Sequence, residues 1–267
     1  MTDNKEEQEL NITAGLPRQW EMEWFLTPAE CNPQGRMPLT LLINRLIEIA
    51  TLHANAIGIG YADIVERHHT WVLSRVAVEM KRYPGVNDTY RISTWICSVN
   101  RLFSERDFCI MAADGEVLGW ARTVWGMLDT DTRQAADISY MAWIEALAQP
   151  GRCPIEKASR PQSPGEYTTE HYRFIYCDLD FNRHVNSSRY IELLLNQWPL
   201  EFHDANRLTR FEIAYLHEAY SGEEVEVRLS TAGSETRAEL TAGSTALCRA
   251  RLCFSPREPE EQAGCSH

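Results

Sequence analysis

The segment Cys177 to Pro199, CDLDFNRHVNSSRYIELLLNQWP, places Asp178, Asp180, Asn182 and His184 at every second position, ahead of an aliphatic run of Ile191, Leu193, Leu194 and Leu195. On an extended or loosely turned segment these side chains share a face. Asn186 or Ser187 makes a good N-cap for a helix that follows, so the free amides of its first turn point back at the cluster with the positive end of the helix dipole. Amide donors beside an acid/base group form an oxyanion site. A His with a carboxylate next to such donors can activate water or a nucleophile against an acyl carbonyl. Three other readings stand beside this one. Asp and Asn are common turn and cap residues with no chemistry at all. Asp178, Asp180 and His184 could ligate a metal, although no HxH, HExxH or CxxC accompanies them and hard cations need more oxygen ligands than the segment offers. Cys177 as a nucleophile is the weakest, since nothing distinguishes it from the other cysteines.

Two repeated sets of elements must hold this segment. Apolar spacing predicts a helix over 39–58, followed by strands over 70–83, 89–100, 103–113 and 117–129. Asp114-Gly115 marks a hairpin turn at 113–117. A second helix, 187–198, precedes strands over 210–220, 223–233, 236–243 and 245–255. Sliding one half by 149 residues sets Phe25 on Phe174 and Leu41 on Tyr190, a weak internal repeat. One helix followed by about four antiparallel strands suggests a sheet wrapped around a helix. Two copies can join sheet edges and bury the faces that each alone would leave open. The same slide sets Cys31, Pro33 and Gly35 against Asp180, Asn182 and His184. The polar cluster then exists once, which favours a site over a cap.

Composition narrows the classes. Apolar residues make up 44% of the 267, enough for a sizeable core. No stretch is long and apolar enough to span a bilayer, and the acidic start lacks the features of a signal or transit peptide. The net charge of -12 argues against nucleic acid. Eight cysteines without a CxxC pair read as reduced thiols, and the expected location is the cytoplasm. The expected layout is a disordered tail at 1–12, a first domain at 13–145, an exposed Pro- and Gly-rich linker at 146–168, a second domain at 169–256 and a tail at 257–267.

The stretch DLDFNRHVNSSRYIE resembles the signature of plant and bacterial acyl-(acyl carrier protein) thioesterases, close to D-L-D-x-N-x-H-V-N-x-x-x-Y-I. A second stretch, TWVLSRVAVEMKRYPGVND at 70–88, resembles that family's T-W-V-x-x-R…R-Y-P-x-x-x-D segment through Trp71, Arg75, Arg82, Tyr83, Pro84 and Asp88. The resemblance implies an α+β, tandem (double) hotdog fold of two antiparallel sheets, each wrapped around a long helix. It implies hydrolysis of a fatty acyl thioester on the phosphopantetheine arm of acyl carrier protein, with no cofactor, no metal, no nucleic acid and no membrane, and a homodimer as a further expectation. The implied catalytic residues are Asp180, Asn182, His184 and, about 34 residues on, Glu218. The family has a Cys after that Glu where this chain has Ala219, which leaves a carboxylate and His scheme.

In the expected site, amides near Val185 and Asn186 bind the thioester oxygen with Asn182. Asp180 attacks the acyl carbon or serves as base for water, His184 carries the proton to the leaving thiolate, and Glu218 orients the water. Glu218 is expected in an apolar strand. Trp71, Leu42 and Leu46 are expected to contact the acyl chain, in a channel supplied by the first half. Arg183, Arg189, Arg207 and Arg210 are expected as a local basic patch for an acidic carrier. The alternatives are an acyl-CoA thioesterase on the same fold and, less favoured, a non-catalytic acyl-binding protein.

Overall fold

The molecule is organised about a seam between two strands, β2 (His69–Met80) and β7 (Asn206–Tyr215). They run antiparallel, with Val76 opposite Ile213, Ala77 opposite Glu212 and Val78 opposite Phe211. These side chains are at most 1% exposed. The computed structural model describes residues 13–257. The tails expected at the chain ends therefore lie outside the described residues, apart from Arg257.

The first half adds β1 (Gln19–Phe25), β3 (Thr89–Val99), β4 (Phe103–Ala112) and β5 (Val117–Asp129). The second adds β6 (Thr168–Arg173), β8 (Glu224–Ala232), β9 (Glu235–Ala242) and β10 (Thr245–Pro256). Among the described residues these form one sheet in the order β1-β3-β4-β5-β2-β7-β10-β9-β8-β6. Read from either edge, the connectivity is the same, so the two halves meet at the seam as mirror sequences of one plan. The predicted strands and the hairpin at Gly115 are present, and Gly115 has the φ of 93° that such a turn requires. Sequence patterning did not yield the edge strands β1 and β6.

Helix α1 (Leu39–Ala56) buries Leu39, Leu42, Ile43, Leu46, Ile49, Ala50 and His53, the three-four spacing of one face. A short turn, α2 (Tyr61–Ile64), leads into β2. The helix of the second half is broken: α3 (Ser187–Leu195) is followed by α4 (Leu200–Ala205). Pro199 stands between them and could not continue a helix, having no amide hydrogen. Residues from both helices and both halves of the sheet, among them Leu46, Ile191, Leu194, Phe211 and Leu252, form one continuous core. Each such side chain contributes about 1.5–3 kcal/mol by leaving water. This is the tandem arrangement expected from the sequence, with the two sheets fused edge to edge.

Most of the expected linker is exposed, but a few of its residues tie it to the sheet as a strap. Cys153, Ile155 and Ala158 are 4–7% exposed. Arg122 donates to Cys153 O at 2.6 Å, Ser159 donates to Glu212, and Ser163 Oγ donates to Glu239 Oε2 at 3.0 Å. Its prolines and glycines prevent regular structure, and two of its carbonyls, those of Cys153 and Ala158, accept from Arg122 and Arg75 of the sheet.

Candidate active site

The residues from Asp180 to His184 form one tight turn. Asp180 Oδ1 accepts hydrogen bonds from the amides of Asn182 at 2.8 Å and His184 at 3.1 Å. Asp180 N donates to His184 O at 2.8 Å, and Arg183 N donates to Asp180 O at 3.0 Å. Closing so small a loop requires a left-handed residue, and Arg183 supplies it at φ 66°. The chain then enters α3, with Asn186 as its N-cap accepting from Ser188 N at 3.0 Å. Asp178 sits beneath the turn, 4% exposed, accepting from Ile175 N and Tyr172 Oη. Its role is to hold the loop.

Glu218 reaches the turn from the other side. It lies in the loop after β7 rather than in the strand where it was expected, because β7 ends at Tyr215. Its Oε1 is 3.5 Å from His184 Nδ1. Arg133, from the loop after β5 in the first half, donates to its Oε2, and Tyr220 Oη lies 3.4 Å from the same oxygen. The Tyr220 ring meets the His184 ring edge-on at 5.2 Å between centroids. Glu218 is thus held between an arginine and a histidine that come from different halves of the chain. Sequence reasoning missed Arg133, which is distant in the chain, and Tyr220, which was read only as the last residue of an expected strand.

The first half contains the same turn in different residues. Asn32 Oδ1 accepts from the amides of Gln34 at 3.1 Å and Arg36 at 3.0 Å. Asn32 N donates to Arg36 O and Gly35 N to Asn32 O, both at 2.9 Å. Gly35, at φ 67°, stands where Arg183 stands. Met37 N donates to Pro84 O as Val185 N donates to Ala219 O. The structural register is therefore 148, not the 149 read from the sequence. The counterparts of Asp180, Asn182 and His184 are Asn32, Gln34 and Arg36, and that of Glu218 is Tyr83. The turn exists twice; a carboxylate, an imidazole and a second carboxylate exist once.

A cavity of about 350 Å³ opens beside the turn, lined by Asn182 and Phe181 from the turn, Ile47, Ala50, Thr51 and Ala54 from α1, and Trp71, Arg106 and Trp125 from the sheet. Its size suits a small ligand. Trp71, expected to contact an acyl chain, lines the cavity, with its indole nitrogen donating to Ile59 O at 2.9 Å. Leu42 and Leu46 do not line the cavity. They are 0% and 1% exposed in the core.

Two further expectations change. The amides of Val185 and Asn186 already donate to Ala219 O and Asp178 O, each at 2.8 Å. Neither is free to hold an oxyanion, because the turn itself consumes them. The four arginines do not form a patch. Arg189 pairs with Glu192 and Asp178, Arg210 pairs with Glu79 and Glu212, and Arg207 donates to Lys81 O. Arg183 alone of the four sits in the turn. Among the described residues no three His, Cys, Asp or Glu side chains are grouped to hold a metal, and no helix is long and apolar enough to cross a membrane.

Residues 17–141 match the family model of the acyl-ACP thioesterase N-terminal domain, and residues 162–255 match that of the C-terminal domain. The chain is 28% identical over 224 residues to oleoyl-acyl carrier protein thioesterase 1, chloroplastic, of Arabidopsis thaliana. That match covers 76% of this chain and 62% of the plant protein, so the chain spans about three fifths of that relative's length. The crystal structure of an acyl-ACP thioesterase from Bacteroides thetaiotaomicron superposes with a TM-score of 0.83 at 33% identity, covering 89% of this chain and 98% of that one. The 12:0-ACP thioesterase from Umbellularia californica shares the fold at a TM-score of 0.78 and 20% identity, covering 90% and 98%.

Proposed function

The chain belongs to the acyl-ACP thioesterase family, and on that premise we propose that it hydrolyses the thioester between a fatty acyl chain and acyl carrier protein, using Asp180, Asn182, His184 and Glu218. The observation that carries this reading is the asymmetry of the two turns. One backbone design is built twice, and only the copy beside the apolar cavity bears two carboxylates and an imidazole.

In this scheme the acyl chain lies in the cavity under α1 and Trp71. The thioester oxygen meets the side-chain amide of Asn182, the residue of the turn that lines the cavity. Asp180 has one oxygen committed to the turn. Its Oδ2 has no protein donor among the described residues and is the oxygen available to attack the acyl carbon or to take a proton from water. His184 protonates the leaving thiolate from Nε2, with Glu218 facing Nδ1 and balancing the imidazolium charge. The carrier is acyl carrier protein rather than coenzyme A, in keeping with the names of the relatives.

The test is hydrolysis of a chain-length panel of acyl-carrier-protein thioesters, with matched acyl-CoA thioesters beside it. Turnover of the carrier-protein set that collapses in Asp180→Asn supports the reading. Faster turnover of the CoA set assigns the other carrier. Single-turnover hydrolysis in labelled water separates the routes: label in the Asp180 side chain marks a covalent acyl-enzyme, and label found only in the product acid marks direct attack by water.

A further inference from the structure

The cavity beside the Asp180 turn has a smaller counterpart, of about 80 Å³, beside the Asn32 turn. Matching residues wall the two. Gln34 stands for Asn182 and Leu195 for Ile47, at the register of 148 that also relates the helix starts Leu39 and Ser187. At the seam Glu212 answers to Ala77, which makes Asn206 the counterpart of Trp71. Phe254 answers to Trp125. They pair with Leu208 and Leu73, themselves counterparts, and a register shift adjoins each pairing. One plan thus encloses about 350 Å³ in one place and about 80 Å³ in the other.

The difference lies along the helices. Ala50 and Ala54 line the large cavity, three and seven residues past Ile47. Trp198 and Phe202 stand at the same spacings past Leu195. The helix breaks there, at Pro199, yet both rings close on Phe254, with centroids at 4.9 Å and 5.0 Å, and stack on each other at 5.6 Å. Both also pack against the core. Around Trp125, Ala50 and Ala54 instead leave the matching space open. Alanine does so without weakening α1, since no residue favours a helix more.

We propose that Ala50 and Ala54 fix how long an acyl chain the cavity accepts, by holding open the space that Trp198 and Phe202 close in the second half. This rests on the thioesterase reading of the adjoining turn and names the residues that select its substrate. A close-packed wall does not yield to an added methylene as water does, and one methylene too many costs roughly 10-fold to 200-fold in rate. A side chain grown from α1 into this space therefore excludes the longest chains first and leaves shorter ones their room.

The experiment measures hydrolysis of saturated acyl thioesters of acyl carrier protein over a series of chain lengths, in the wild type, Ala50→Leu and Ala54→Leu. Binding of the free fatty acids of the same lengths is followed by calorimetry in the same three proteins. In each variant kcat/KM for the longest chain that the wild type turns over should fall by about 10-fold or more. The shorter chains should keep their rates, so the optimum moves to shorter substrates, and the free acids should follow the same order. If Ala50→Leu does not fold, Ala54→Leu decides, since Ala54 is the less buried of the two. An unchanged optimum, or an equal loss at every length in a folded variant, would overturn the proposal. Free acids whose length preference shifts in the variants, with no thioester hydrolysed by any of the proteins, would sustain it and overturn the thioesterase reading instead.

Discussion

Asn32 and Asp180 occupy the same place in two copies of one turn: each closes its loop with a single side-chain oxygen that accepts the amides two and four residues on. An amide therefore suffices for the architecture, and the second, negatively charged oxygen of Asp180 is surplus to it.

Asp180→Asn should accordingly leave stability within about 0.5 kcal/mol of the wild type, because Asn32 already shows that an amide oxygen makes the two bonds. Turnover should fall by at least ~100-fold. Asp180→Ala should lose the same activity and, in addition, about 1 kcal/mol for each lost bond. Chemical denaturation and steady-state rates measured on the two variants check this. Equal stability losses in both would mean that the carboxylate is a structural group.

Arg133 should matter for rate and hardly at all for stability. Its pair with Glu218 is half exposed and screened by solvent, but it comes from the opposite half and fixes where the Glu218 carboxylate stands. Arg133→Met should lower kcat by roughly 10-fold or more with little change in KM. If Arg133 acts through Glu218, Arg133→Met should cost nothing further in a Glu218→Gln background. Additive losses in the double variant would show that the arginine works by another route.

The left-handed backbone at Arg183 is a cost that its counterpart Gly35 avoids. Arg183→Gly should raise stability by roughly 1 kcal/mol, read as a higher midpoint in urea. If the Arg183 side chain meets the acidic carrier, KM for the carrier-protein substrate should rise in the same variant while kcat holds. A stability gain with an unchanged KM would leave the strain without that purpose.

Glu212 couples stability to pH. Burial alone would raise its carboxyl pKa, but hydrogen bonds from Ser159, Arg251 and Arg210 outweigh it and hold the value below the ordinary 4.5. A carboxyl whose pKa is lower in the folded state contributes stability that is fully present above 4.5 and is lost as pH falls through the folded value. Glu212→Gln should destabilise the protein at neutral pH and flatten the acid side of its stability curve. The strap from 148 to 164 should become easier to cleave by protease, since Ser159 anchors it on that carboxylate. An unchanged acid limb would mean that the carboxyl is not ionised in its burial site.

The strands from β2 to β5 and from β7 to β10 were readable because each carries an apolar, largely buried run, such as the six consecutive buried residues of β3, bounded by turn residues. Strand β6 was not, because its residues Thr168 to Arg173 are almost all exposed and no apolar run marks them. The chemical side chains of the turn were readable because they fall within a few residues of one another. The arginine that holds Glu218 was not: Arg133 lies 85 residues away, and only the order of strands brings it near. The slip of one residue in the repeat came from matching side chains such as Phe25 and Phe174. The hydrogen bonds of the loops match Leu26 with Phe174 instead, through Leu26 N to Asp88 O and Phe174 N to Glu223 O.

At the seam, Ala77 faces Glu212, and Glu212 is Ala77's own counterpart in the second half; Val76 and Val78 face the counterparts of each other. That is the contact two identical subunits make when they join sheet edges about a two-fold axis. The chain can be regarded as a dimer whose subunits were given separate genetic futures by being joined. In such a pair every residue serves in both copies; joined in one chain the two turns need not match, and the fold holds with Asn32, Arg36 and Tyr83 where the other copy has Asp180, His184 and Glu218.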